Sequence, residues 1–420
     1  MNRRQFLQAV PSLAAAPLLA RSAFAGTGRG NSIQSDSDGT LRVGGRREFI
    51  LGLYQAPAHP EALREASQAG FNLINRSPTA ASFDEAHALG LWGWTALGSL
   101  PVPTPAAERA AAETRMRATI ESLRAHPALL FWETEDEPTF VWKEPLRLRT
   151  PPAQINDTAA FIRAHDPAHP LYLNESPTNL VRTLQAYSPA ADIVATDIYP
   201  VIPHGAREQY ALWPDGRQGD FLNTFISQVG DYADKMRRVA GPERAVFMVL
   251  QGFAWEGLRD KDKGQDPAMI LYPNAAQLRF MAWQSIVHGV NGLIWWGLSY
   301  TPYTAPLWSD LKTIAREISQ VRDALSARRL RVSLKIDYRD TGHSLDRGVE
   351  WIAKSLGRGN GILLAAVNAD GNPVDATISG LKRYRKCEPV VGGGTAELVA
   401  GQLHEKFEPF GTRVWRLMDV

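Results

Sequence analysis

The stretch Leu129-Leu130-Phe131-Trp132-Glu133-Thr134-Glu135-Asp136-Glu137-Pro138 decides how the rest of the chain is read. Three apolar residues, Leu129 to Phe131, lead almost directly into four acids within five positions. A short apolar run of this kind reads as a strand buried on both faces, as parallel sheets require. Its acids therefore end a buried strand and do not decorate a helix or a long loop. Carboxylates crowded together repel one another, and the repulsion raises the pKa of one of them. A raised pKa suits a general acid working near neutral pH, and Glu137, followed by the stiffening Pro138, is the leading candidate.

Outward from this strand, short apolar runs alternate with longer helical ones, the order of a parallel sheet. The expected strands are Phe49–Gln55, Phe71–Asn75, Leu91–Leu97, Leu129–Thr134, Pro170–Leu173, Asp192–Asp197, Ala245–Gln251 and Leu293–Leu298. Pro60 opens the first helix and Gly70 closes it. A capping box of Ser82 and Glu85 starts the second, which ends at Gly90. Further helices are expected over Glu108–Leu123, Gln154–Ala164, Leu180–Ala186, Phe221–Val239, Ala275–His288 and Leu311–Leu325. Eight strand–helix units match a (β/α)8 barrel over residues 46–328. The alternative, a doubly wound open sheet, often carries a glycine-rich phosphate turn after its first strand. Ala56-Pro57-Ala58-His59-Pro60 offers no such turn, so the barrel is the expected fold.

Residues 329–420 change character. Val332–Ile336, Gly361–Val367, Val374–Ile378 and Thr412–Leu417 read as strands separated by turn-forming stretches, which predicts a small antiparallel β-sandwich packed against the barrel. At the other end, residues 1–25 begin with Arg3-Arg4-Gln5-Phe6-Leu7, continue through small apolar residues and finish Ala23-Phe24-Ala25. That pattern predicts a twin-arginine export signal with an A-x-A cleavage site, and hence a periplasmic or secreted protein. Residues 26–45 are rich in Gly, Ser and Asp and are expected to be a flexible lead-in.

Composition narrows the function. The chain has 420 residues, 44% apolar and 21% charged, with a formal charge of +2 and 12 Trp. The first 25 residues hold three arginines and no acid, which leaves the remainder near neutrality and gives no footprint for nucleic acid. Beyond the signal no apolar run is long enough to span a membrane. Cys387 is the one cysteine, so no internal disulfide forms. Metal chemistry has little support: His165 and His169 are four apart, but Pro167 between them opposes the helix that would put both on one face. No cofactor or metal is expected.

Barrel enzymes gather their chemistry at the C-terminal ends of the strands. The polar residues there are Tyr54, Gln55, Asn75, Arg76, Thr95, Glu133 to Glu137, Asn174, Glu175, Asp197, Tyr199, Gln251, Trp255, Trp295 and Trp296. Carboxylates do acid–base work, amides bind hydroxyls, and aromatic rings cover the apolar faces of sugars. The expected partner is an oligosaccharide, polysaccharide or other glycoside. Trp295 and Trp296 are strand neighbours, so one should face the site and the other pack behind it. Trp92 and Trp94 share a parity and read as core. Tyr54 and Arg76 are candidate substrate contacts, with a structural ion pair between Arg76 and Glu137 as the plain alternative.

Asp136-Glu137-Pro138 resembles the Asn-Glu-Pro motif that ends the fourth strand of clan A glycoside hydrolases, the (β/α)8 glycosidases that include cellulases and β-galactosidases. The resemblance extends loosely over residues 47–330. It implies that Glu137 is the proton donor and that Asp136, in place of Asn, binds a sugar hydroxyl. The clan places its nucleophile, a Glu, at the end of the seventh strand, where this chain has Gln251. Three repairs are open: Glu256 could swing in from its loop, Asp197 or Glu175 could act instead, or the barrel could bind sugar without cleaving it. A metal-dependent barrel hydrolase of another class is a more distant alternative.

Overall fold

The computed structural model describes residues 33–102, 105–141, 144, 147–203, 223–339, 343–357, 361–392 and 397–419. Three short strands come first, β1 (Ile33–Ser35), β2 (Leu41–Val43) and β3 (Arg46–Glu48), paired antiparallel in that order. Eight parallel strands follow: β4 (Ile50–Leu53), β5 (Leu73–Asn75), β6 (Trp92–Ala96), β7 (Leu129–Glu133), β8 (Leu171–Glu175), β9 (Ile193–Ile198), β10 (Ala245–Gln251) and β11 (Gly292–Trp296). Each pairs with the next, and β11 returns to β4, so the sheet closes as a barrel. Closure leaves no sheet edge unpaired. Strand β10, Ala-Val-Phe-Met-Val-Leu-Gln, is buried at every position, as a parallel strand between barrel interior and helix layer must be.

The helices are α1 (Ala62–Ala69), α2 (Ala80–Ala88), α3 (Ala106–Leu123), α4 (Pro152–His165), α5 (Val181–Gln185), α6 (Gln228–Ala240), α7 (Ala275–Val287), α8 (Pro306–Ser319) and α9 (Arg322–Ser326). Gly70 ends α1 at φ +102, and a Cβ there would lie 2.4 Å from that of Ser319, so only glycine fits. The cap of α2 differs from expectation. Thr79 is the N-cap and accepts from Ser82 N, while Glu85 pairs with Arg76 instead of closing a capping box. The expected helix Leu311–Leu325 is two helices, α8 opening one turn earlier at Pro306 and α9 after a break. Helix α6 begins at Gln228, with residues 221 and 222 outside the described ones.

The C-terminal part is a pair of four-stranded antiparallel sheets. One runs β12 (Lys335–Tyr338), β15 (Val374–Ser379), β18 (Gln402–Phe407), β17 (Leu398–Val399). The other runs β13 (Val349–Ser355), β14 (Gly361–Asn368), β19 (Thr412–Met418), β16 (Lys386–Val391). Their facing side chains, among them Leu364, Ile378, Leu403 and Trp415, form a separate apolar core. Four of these strands carry no sequence signal of their own: β13, β16, β17 and β18. Pro389 lies in β16, an edge strand whose register shifts at that residue.

The flexible lead-in expected over residues 26–45 is corrected from residue 33 onward. Ile33, Leu41 and Val43 join the same apolar cluster as the barrel-interior residues Ile50, Ile193, Ala245 and Phe247, so the small sheet plugs one end of the barrel. Arg47 holds it, donating to Asp38 Oδ2 at 2.6 Å and to the Ser326 carbonyl at 2.6 Å. Three-residue strands show no periodicity, and only contact with the barrel floor makes them strands.

Candidate active site

Alternation along each strand sorts the strand-end residues into two sets. Tyr54, Trp94, Phe131, Tyr172 and Val249 belong to the cluster inside the barrel. Leu53, Trp132, Leu173, Leu250 and Trp295 belong to the layer between barrel and helices. Counting two residues on from the inward set places Glu133, Asn174 and Asp197 inward, and leaves Glu175 pointing outward.

Glu133, at the end of β7, is buried at 2% exposed. Its Oε2 accepts from Trp94 Nε1 at 2.8 Å and its Oε1 from the Tyr54 hydroxyl at 3.1 Å, which in turn lies 3.1 Å from the Tyr172 hydroxyl. Burial, then the charge of Asp136, push this carboxyl up to about 8, against the two donors and with a further contribution from Asp197.

Above it, Asn174 ties two acids together. Its Nδ2 donates to Asp136 Oδ1 at 2.9 Å and also to Asp197 Oδ1. Asp197 Oδ2 accepts from the Tyr199 hydroxyl at 2.8 Å. Burial and the charge of Asp136 raise Asp197 to about 7, although both donors favour its ionised form. Asp136 sits at the exposed rim, yet desolvation of its carboxyl by the surrounding protein, with the charge of Glu135, raises its pKa against the pull of Asn174 and Arg149.

Glu137 completes the group. Its backbone sits at φ +44, in the left-handed region that a Glu rarely adopts. The strain is held by Glu137 N donating to the Asn174 carbonyl at 2.9 Å and by Phe140 N donating to the Glu137 carbonyl at 3.0 Å. Backbone strain of this kind persists only where surrounding contacts over-determine it, and it concentrates at functional sites. Burial, then the charges of Asp197 and Asp136, raise the Glu137 carboxyl well above its ordinary value, against the attraction of Arg149. Arg149 itself pairs with Glu135, 3.3 Å away.

An aromatic wall faces these acids. Tyr199 and Trp296 stack at 5.6 Å with 25° between planes. Phe253 packs edge-on against both, at 5.0 and 5.2 Å. Trp255 joins them and donates from Nε1 to the Tyr199 carbonyl at 3.1 Å. The ring of Tyr300 extends the wall outward, 5.7 Å from Trp296 and half exposed.

Several expected site residues lie elsewhere. Gln251 is fully buried and accepts from Val201 N at 2.9 Å while donating to the Val201 and Phe253 carbonyls at 2.9 and 3.1 Å. It straps the loop after β9, which uses both of its amide protons and one lone pair of its oxygen. Glu256 accepts from Asp266 N at 2.8 Å and pairs with Arg259 at 3.2 Å, so its own loop holds it. Glu175, on the outward parity, is buried beside Thr139 behind the Glu137 loop. Arg76 donates to Ser82 and pairs with Glu85, and has no hydrogen bond to Glu137. Trp295 is the tryptophan that packs behind, wholly buried against Phe71. Tyr54 is in the barrel interior, in contact with Glu133. Conversely, Trp94, Tyr172, Phe253 and Arg149 belong to the site surroundings and were not among the expected site residues. Strand parity alone could have found Trp94 and Tyr172. Among the described residues no group of three or more His, Cys, Asp or Glu side chains is arranged to hold a metal ion, and no helix is long and apolar enough to cross a membrane.

Barrel, mouth-facing acids and C-terminal sheets together define the class: a closed (β/α)8 barrel followed by a β-sandwich-like domain. The same architecture is found in solved glycoside hydrolases. An Anoxybacillus α-amylase superposes with a TM-score of 0.53 at 9% identity, over 89% of this chain and 98% of that one. A family 51 α-L-arabinofuranosidase from Bifidobacterium longum does so with 0.53 at 11%, over 92% and 98%. A family 42 β-galactosidase from G. stearothermophilus does so with 0.55 at 9%, over 93% and 99%. At these identities the likeness is one of fold. No protein-family model matches the chain, and no curated protein sequence does.

Proposed function

We propose that this protein is a glycoside hydrolase in which Glu137 is the proton donor and Asp197 the second carboxylate. The observation that carries the reading is the strained Glu137 backbone, which holds a carboxyl of raised pKa beside Asp136 and Asp197 at the barrel mouth. Two neighbouring carboxyls kept apart in pKa divide the labour of acid and base. Asp197 ionises near 7, and Glu137, surrounded by its charge, keeps its proton for the glycosidic oxygen. Once ionised, Asp197 attacks the anomeric carbon or activates the water that does. Asp136 accepts a hydrogen bond from a sugar hydroxyl, and the Tyr199–Trp296 wall covers the apolar face of the ring. The glycosidic activity of the structural neighbours supports this reading.

Replacing Glu137 by Gln keeps the shape and removes the proton. Release of reducing sugar from unactivated glycans should fall about a hundredfold or more. Near-normal release by a folded Glu137→Gln protein would sink the assignment. Sugar binding by the wild type without any product would identify the alternative, a non-catalytic carbohydrate-binding barrel. Residues 1–25 lie outside the described ones, and we propose for them the export role that Arg3-Arg4 and Ala23-Phe24-Ala25 suggest. Changing both arginines to lysine should leave the precursor in the cytoplasm, and unaltered export would refute the twin-arginine route.

A further inference from the structure

Glu133 is a buried carboxyl that the proposed reaction does not use. It points into the barrel directly below the acids, and its main chain locks the end of β7: Leu97 N donates to the Glu133 carbonyl at 2.8 Å, and Thr134 N to the Tyr172 carbonyl at 3.3 Å. Both side-chain oxygens have a donor, the Trp94 indole and the Tyr54 hydroxyl. Among the described residues no Lys, Arg or His forms an ion pair or hydrogen bond with it. A buried carboxylate without a cation is costly, and such a group takes up a proton instead. The surroundings accommodate that proton. The Tyr54–Tyr172 hydrogen bond can run in either direction, so Tyr54 can accept from Glu133 while donating to Tyr172.

We infer that Glu133 is a positioning residue, the uncharged floor of the site: its carboxyl, held between Trp94 and Tyr54, seats the end of β7 and spares Asp136 and Asp197 a third negative charge beneath them. The groups that face it are Tyr54 just after β4, Trp94 from β6, Tyr172 from β8, Asp197 from β9, and Asp136 from the loop after β7. Both tyrosines are pushed above their ordinary value by burial and then by the charge of Glu133 itself, so they stay neutral. Only the two aspartates bring charge, and both act to keep the proton on Glu133. Burial, then the charge of Asp136, raise both carboxyls toward neutral pH, Asp197 to about 7 and Glu133 to about 8. With Glu133 protonated, the negative charge here is confined to Asp136 and Asp197, above an uncharged floor. The kinetic consequence rests on the glycosidase reading, whereas the spectroscopic one does not.

The test is an infrared titration of the folded full chain, following the carboxylic-acid C=O stretch, with kcat/KM measured across the same pH range. Wild type should show a buried carboxylic acid that titrates near 8 and is missing in Glu133→Gln. Tyr54→Phe removes a donor to the ionised form, so the midpoint of that band should move upward. The wild-type pH profile should carry an inflection at the same pH, and Glu133→Gln should lack it because an amide cannot ionise. Glu133→Met, which offers Trp94 and Tyr54 no acceptor, should lower kcat about tenfold or more at every pH. A Glu133 that is ionised at neutral pH, or a band unmoved by Tyr54→Phe, overturns the inference even if the Gln variant fails to fold. An identical pH profile in a folded Glu133→Gln overturns it too. A wild type inactive on every glycoside but showing the titrating band would overturn the glycosidase reading and leave the floor in place.

Discussion

The most informative single residue is Glu137, because two independent physical costs meet there. Its φ of +44 is strained, and its carboxyl lies among like charges in a desolvated position. Neither cost stabilises the fold, so both point to chemistry. If the proton on Glu137 is what matters, the defect of Glu137→Gln should depend on the leaving group. Aryl glycosides with very acidic leaving groups need little protonation and should lose far less rate in bond cleavage than unactivated ones. Equal losses on both, with the melting temperature unchanged, would show that Glu137 does not act as the acid. The position of Glu137, Asp136 and Asp197 at the barrel mouth was legible in the sequence because each lies in or just after the end of a buried strand. The partners of Gln251, Glu256 and Arg76 were not legible, because Val201, Asp266 and Glu85 are loop or helix groups that no motif announces.

Among the elements, strand alternation decides function and stability at neighbouring positions. Trp295 and Trp296 are consecutive in β11, yet one is sealed in the helix-facing layer and the other lines the mouth. Trp295→Ala should cost about 3–5 kcal/mol in denaturant unfolding, the usual range for emptying a large core site. Trp296→Ala should cost clearly less and instead raise KM or weaken sugar binding. The opposite pattern would mean that the inward and outward parities are reversed. Sequence could state that the two point apart but not which faces in, since that depends on the register with Gln251 and Leu250 across the sheet. The same limit explains the unanticipated strands. Val349–Ser355 and Gln402–Phe407 mix Glu, Lys, Ala and Gln with apolar residues, and pairing partners, not propensity, make them strands.

For the molecule as a whole, the joint between barrel and sandwich is polar and pH-sensitive. His288, at the end of α7, lies 2.9 Å from Asp234 and 3.0 Å from Glu350 of β13. Arg347 Nη1 donates to Asp231 Oδ2 at 2.8 Å and its Nε lies 3.4 Å from Glu350, beside an apolar contact between Phe280 and Phe410. Burial would lower the His288 pKa, but the hydrogen bonds it donates to Asp234 and Glu350, with their charges, outweigh it and raise the imidazole to about 9. A raised histidine contributes stability that is fully present below the unfolded pKa and is lost as pH climbs through the folded one. Stability should therefore decline from about pH 6.5 to 9, by up to about 3 kcal/mol from this group. The raised acids of the site act in the same direction, since the folded state holds protons that the unfolded state releases. Thermal melts of wild type and His288→Gln across this range check the prediction. A slope that is the same in both proteins would show that the joint does not depend on the charged imidazole.

The sequence by itself determined the barrel, the sandwich after it, and the cluster of acids at the end of the fourth barrel strand. Each of these follows from local patterns: the alternation of strand and helix periods, glycine and proline punctuation, and charge placed where burial should follow. The tertiary structure alone decided which of those polar residues meet. Asn174 joins Asp136 to Asp197 because β8 lies between β7 and β9, and Gln251 is spent on Val201 because the loop after β9 folds over it. It also decided that residues 33–48 form a plug and not a loose lead-in. The physical reason is the same throughout: hydrogen bonds and burial between residues far apart in the chain depend on closure of the barrel, which no window of sequence contains.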